Sequence, residues 1–224
     1  MPGHLFLHVS TLDLIMQMAD KHLKDSPAKD VNSTFPSEPE GVVTDYVEQK
    51  FPVSVPMFHL GFKEDVKRER LTNKEMAESA ILLFAIASGS SELYQILEDK
   101  GLINNTFDYE HFEGPFYSSV FFGGESTNPK EASKIIKEYI NNLRKTGISE
   151  ADFEIAKKAV YGEGISSLNR NETIANIIMD GDFSDREIFN YIEEIKATTL
   201  EDVNRRLLEQ LDSTKSSLSV ILPL

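Results

Sequence analysis

Asn104, Thr106, Asp108 and Glu110 occupy every second position of INNTFDYEHF, residues 103–112. In a strand, side chains two apart share a face. Four polar groups aligned in this way, with Asn105 beside them, offer donors and acceptors to an extended peptide laid along the strand. An ordinary solvated strand face has the same composition. The five histidines, His4, His8, His22, His59 and His111, show no zinc-ligand spacing. His4 and His8 lie four apart in a stretch that alternates as a strand, which separates them too far to share one ion. Neither H-E-x-x-H nor H-x-x-E-H occurs in the sequence, so it offers no zincin-type centre. Ser88-Gly89-Ser90 lies between helical segments and not at a strand-to-helix elbow. Gly162-Glu163-Gly164 sits inside a helical stretch, where a dinucleotide fingerprint has no place. Asp180, Asp182 and Asp185 lack the glycine and closing glutamate that a calcium loop requires.

These residues need a frame. LFLHVS, residues 5–10, alternates as a strand, and Thr11 caps a helix from Leu12 to about Leu23. Residues 25–41 hold three prolines and little periodicity and read as a connector. VVTDYVEQKF (42–51) and VSVPMFHLGF (53–62) alternate as strands, with Pro52 and Pro56 pointing to edges or a bulge. Thr72 and Glu75 form a capping box that opens an apolar helix; after Gly89 a shorter helix follows, stopped by Gly101. Residues 103–112 and 116–124 then make a hairpin around Glu113-Gly114-Pro115. Helix starts recur at Asn128-Pro129-Lys130-Glu131, Ser149-Glu150-Ala151-Asp152, Ser184-Asp185-Arg186-Glu187 and Thr198-Thr199-Leu200-Glu201. SLSVILPL supplies a last strand. Hairpins separated by helices predict an α+β domain over 1–224: a mostly antiparallel, mixed sheet of about six strands with helices layered on one face. The first and last strands should join the sheet beside strands distant in sequence.

Composition narrows the function. Asp and Glu number 37 against 23 Lys and Arg, a formal charge of −14, which repels a nucleic-acid backbone. The longest uninterrupted apolar run, Ile81–Ala87, is too short to span a bilayer. The start carries no basic segment of a signal peptide. With no cysteine, disulfides and thiolate–metal sites are excluded, and a reducing, cytoplasmic setting is expected.

Three stretches, GSSELYQILEDKGLINNTF, FFGGESTNPKEA and GISSLNRNETIAN, taken in this order among the predicted elements, resemble the second half of an insulinase/pitrilysin-type peptidase subunit. The likeness runs from LFLHVS to VILPL and is nearest to a bacterial cytosolic branch whose members often look catalytically silent. The resemblance implies a C-terminal half of a longer chain, without metal or cofactor of its own. Zinc would belong only to a related N-terminal domain or a second pitrilysin-like subunit carrying H-x-x-E-H, and a dimer is possible. The two halves would enclose unfolded peptides, and the acidic field would favour basic or neutral segments. The family's second half contributes an Arg before the helix-ending Gly and a Tyr after it, which hold the substrate backbone electrostatically. Aligned with a one-residue deletion, the Arg position falls on Leu97 or Glu98 and the Tyr position on Asn104. An Asn donor reaches about 3 Å less far than a Tyr hydroxyl. The resemblance therefore implies a non-catalytic, peptide-binding or partner-docking half, with Asn104, Asn105, Thr106, Asp108 and Glu110 facing substrate. A structural partner that activates a separate catalytic subunit without touching substrate is the alternative.

Overall fold

The computed structural model describes residues 11–23, 34, 39, 41–66, 68–184, 187 and 190–224. The strand expected at 5–10, His4, His8, most of the 25–41 connector and the cap expected at Ser184-Asp185-Arg186-Glu187 lie wholly or partly outside those residues.

Helix α1 (Leu12–His22) follows Thr11, which sits at the N-cap position without a side-chain cap bond, and none of its residues is buried. Strands β1 (Tyr46–Phe51) and β2 (Met57–Glu64) come next. Both start later than alternation suggests, β2 directly after Pro56, which cannot donate to a ladder. Helix α2 (Asn73–Ala87) opens on the Thr72–Glu75 capping box. Helix α3 (Glu92–Asp99) is capped by Ser91, whose Oγ accepts from Tyr94 N–H. By length and composition alone Asn73–Asp99 could cross a bilayer. It breaks at 88–91, however, and Ile81, Leu82, Leu83, Ile86, Leu93 and Leu97 from it are packed in the core.

The hairpin β3 (Asp108–Gly114) and β4 (Tyr117–Glu125) is followed by five helices: α4 (Pro129–Thr146), α5 (Glu150–Ser167), α6 (Asn171–Ser184), α7 (Asn190–Ala197) and α8 (Leu200–Gln210). One helix more is present than the cap signals predict, because the break between α5 and α6 carries neither Gly nor Pro. Strand β5 (Ser216–Pro223) closes the order.

The sheet runs β1-β5-β2-β4-β3. Five strands are described where about six were expected; the sixth, 5–10, lies outside the described residues. β5 inserts between β1 and β2, parallel to the first and antiparallel to the second. The two adjacent early strands therefore do not form a hairpin, and the last strand does join partners distant in sequence. Helices α2, α4 and α8 pack on one face. Phe58, Leu60, Phe62, Val120, Phe122, Leu218 and Val220 point into that layer and are buried. Phe62 and Phe122 meet edge-on, centroids 5.8 Å apart, a favourable ring geometry. Helix α2 lies at the centre and packs on α5, α7 and α8.

A ring of polar side chains pins the hairpin to the helices. From α8, Arg206 grips Glu64 at the end of β2 with both terminal nitrogens, Nη2 at 2.8 Å from Oε2. Its Nε donates to Ser79 Oγ of α2 at 2.8 Å. Gln210 Nε2 donates to the same hydroxyl and lies 3.1 Å from His111 Nε2 in β3. Ser118 of β4 closes the ring, donating to Glu64 at 2.7 Å with its Oγ 3.0 Å from His111. Arg206 and Glu64 are both buried. A buried charge needs such pairing, because desolvation alone would eject it.

Candidate functional site

The stretch 96–109 joins α3 to the hairpin. Gly101 adopts φ +63, a left-handed turn that a glycine enters without strain. There Gly101 N–H donates to Glu98 O and Leu102 N–H to Leu97 O, which satisfies the last carbonyls of α3. Leu97 lies in the core at 0% exposure, whereas Glu98 faces solvent.

Residues 104–107 are a turn and not the start of a strand, which corrects the expected strand 103–112. Ile103 makes one isolated bridge to Ser126, and Phe107 N–H returns to Asn104 O at 3.1 Å. Asn104 Oδ1 accepts from Thr106 N–H at 2.9 Å and from Thr106 Oγ1 at 2.7 Å. Its Nδ2 donates to Glu125 Oε2 at 2.7 Å, and Thr106 Oγ1 accepts from Glu125 N–H at 2.9 Å. An Asn bonding its own backbone two residues on is a turn device. The turn rests on Gly124, where a Cβ would meet Thr106 O at 2.7 Å and Phe107 backbone atoms at 2.9 Å. Asn104 and Thr106 are thus engaged with Glu125, and Asn105 is exposed at the turn. Only Asp108 and Glu110 of the five candidates share the strand face that alternation predicts, and both are exposed.

That face is the sheet surface opposite the helices. It carries His59 and Met57 from β2, Phe112 from β3 and Tyr117 from β4, all exposed, with Phe121 half-buried. Phe121 lies over Gly61, where a Cβ would come within 2.9 Å of its ring. Phe112 meets Phe121 edge-on at 5.6 Å, and His59 tilts toward Phe121 at 6.3 Å. His59, Glu110, Phe112, Tyr117, Ser119 and Phe121 line a hollow of about 380 Å³. The residue-type reading missed these aromatics. Their signal was present in FYSSVFFGG, where Phe121 and Phe122 place rings on both faces of one strand.

On the helix side of β3, Tyr109 is half-buried, and burial together with Asp108 and Glu163 pushes its phenol up to about 12. It stays neutral at physiological pH. His59 and His111 occupy opposite sheet faces, so these two side chains cannot share an ion. Among the described residues no group of three His, Asp or Glu comes together in a way that could hold a metal. The donors among the described residues do not fit a catalytic zinc.

The family profile described as "Peptidase M16 inactive domain" matches residues 9–160. The "Uncharacterized zinc protease YmfH" of Bacillus subtilis (strain 168) is 27% identical over 191 residues, 83% of this chain and 44% of that protein. Among solved structures, an M16-like peptidase from Alicyclobacillus acidocaldarius superposes with a TM-score of 0.83 at 24% identity, over 95% of this chain and 52% of its own. A protease from Helicobacter pylori does so at 0.76 and 17%, over 96% and 53%. The chain spans about half the length of the relatives it matches.

Proposed function

The chain belongs to the peptidase M16 inactive-domain family, and from that premise we propose that it is a non-catalytic wall that holds unfolded peptides while a related, zinc-bearing half cuts them. One observation carries the reading: among the described residues the sheet face opposite the helices is lined with rings and carries no helix, with only Pro39 reaching it beside Lys63. Exposed apolar clusters of this kind mark interaction sites. Asp108 and Glu110 beside the rings give the surface the acidic character expected for binding basic or neutral segments. Direct catalytic help is not part of the proposal, because Leu97 is buried, Glu98 is an acid and Asn104 is engaged with Thr106 and Glu125. The absence of cysteine suits a reducing compartment, and we place the protein in the cytoplasm.

Partner docking has its own support. Leu12, Leu14, Met16, Met18 and Leu23 around α1, and Val43, Val47 and Phe51 around β1, are exposed. Among the described residues β1 and β3 are opposite edges of the sheet, about 19 Å apart at ordinary strand spacing. In register Val47 lies on the same sheet face as His59, two strands away, and we assign the β1 end of this face to the related half and the hairpin end to peptide.

The test incubates the chain, with and without one equivalent of zinc, with a reduced and carboxymethylated polypeptide. Binding without cleavage is expected in both cases. Chelator-sensitive cleavage, with zinc retained at one per chain, would refute the non-catalytic assignment.

A further inference from the structure

We propose that the hollow on the uncovered sheet face seats a large apolar side chain, aromatic by preference, from an extended chain that carries a Lys or Arg two positions away. This rests on the peptide-holding role above and gives it a substrate class.

The hollow arises from residue size. Ser119 in β4 pairs with Phe112 in β3 and with Lys63 in β2. Its neighbours on the same face, Tyr117 and Phe121, are rings. A small side chain ringed by large ones leaves a depression, and its volume of about 380 Å³ falls in the range of small-ligand pockets, roughly 300–1,000 Å³. Phe112 is 52% exposed and Tyr117 40%, so both present apolar surface to water that an incoming side chain would cover. The right-angled contact of Phe112 with Phe121 leaves ring edges and faces turned to the opening, where a third ring can pack edge-to-face.

Charge selects the second position. Glu110 lies directly across from Phe121, and Asp108 is two residues before it on the same face. Glu125, held by Asn104, adds a third carboxylate at the end of β4. Among the described residues the facing cation is Lys63, whose Nζ donates to Pro39 O at 2.6 Å, and His59 and Tyr117 are the other titratable groups beside the hollow. Side chains two apart in an extended chain are separated by about 6.8 Å, the same repeat that separates Glu110 from Phe112. A guest laid along β3 with its ring over Ser119 therefore brings the side chain two residues away over Glu110. An Arg there also gains from the ring faces beneath it.

The experiment uses the full 224-residue chain and fluorescence anisotropy at low ionic strength. Three dye-labelled, end-capped nonapeptides of Ser, Thr and Gly carry Phe-x-Arg, Phe-x-Glu or Ala-x-Arg at their centre. Phe-x-Arg should bind best, with Ala-x-Arg weaker by about tenfold or more and Phe-x-Glu weaker by about fivefold. The Arg-over-Glu preference should shrink in 0.5 M salt and with Glu110→Gln. Ser119→Leu, which fills the hollow from an accessible position, should bring Phe-x-Arg down to the Ala-x-Arg level. Equal binding of the Phe and Ala peptides, or no effect of Ser119→Leu, overturns the hollow as the seat. Equal binding of the Arg and Glu peptides overturns the charge preference. If the carboxymethylated polypeptide binds while the three peptides are indistinguishable, only the substrate class falls. If nothing binds, the peptide-holding role falls with it.

Discussion

Asn104 bonds Thr106 through Oδ1 and Glu125 through Nδ2, so its polar atoms serve its own turn. Asn104→Ala should therefore cost about 1 kcal/mol, a Tm loss of about 2–4 °C by differential scanning calorimetry at this chain length, and leave peptide affinity within twofold. Residue types made Asn104 legible as a polar group at a helix–strand junction. They could not show where its hydrogen bonds end, because Glu125 is 21 residues away. Asp202 shows a similar division of roles. Burial pushes its carboxyl up, but Lys74 and Thr199 outweigh that and hold it well below the usual carboxylate range, with Lys74 Nζ at 2.9 Å. A carboxyl depressed in the fold stabilises it at every pH above the unfolded value and loses that contribution as pH falls through the folded one. The difference in Tm between the wild type and Asp202→Asn should be constant near neutrality and shrink below about pH 4. A difference that stays constant through the acid range would show that the carboxylate's charge plays no part.

Elements were readable where a local signal ends them. Thr72 with Glu75, Asn128 with Pro129, and Ser149 with Asp152 all cap the helices that their spacing predicts. The last cap is one residue later than expected: Thr198 closes α7 by donating to Glu194 O, which leaves Thr199 to pair with Asp202. The α5–α6 break was hidden because tight turns at Leu168, Asn169 and Arg170 bend the chain without a Gly or Pro to mark it. The beginning of β3 was misread because Ile103 and Phe107 keep a period of two through a turn whose apolar residues are buried anyway. The buried Arg206–Glu64 pair joins α8 to β2 and bonds on to Ser79 of α2 and Ser118 of β4, elements that no local rule connects. Glu64→Gln, which breaks that pair, should cost about 3–5 kcal/mol by urea unfolding, and Glu64→Leu with Arg206→Met should restore much of it. A loss below 1 kcal/mol for the single variant would show that the ring does not hold the hairpin to α8.

At the scale of the whole molecule, the α+β class and the one-sided helix layer followed from element order, since hairpins between helices have few other packings. The insertion of β5 between β1 and β2 did not, because pairing between distant strands leaves no local trace. Nor could alternation reveal which sheet face is covered; that depends on where the helices pack, and it decides that Phe122 is core while Phe112 is surface. The arrangement that results puts a strand with exposed Val47 and Phe51 at one edge and an acidic, ring-lined hollow toward the other. Peptide should meet this second surface. Nuclear magnetic resonance of the chain with isotope-labelled Phe, Tyr and His, titrated with the Phe-x-Arg nonapeptide, tests it most directly. Shifts are expected at Phe112, Phe121, Tyr117 and His59, with Phe51 in β1 unmoved. Shifts confined to β1 or to the helix layer, or none at saturating peptide, would contradict it.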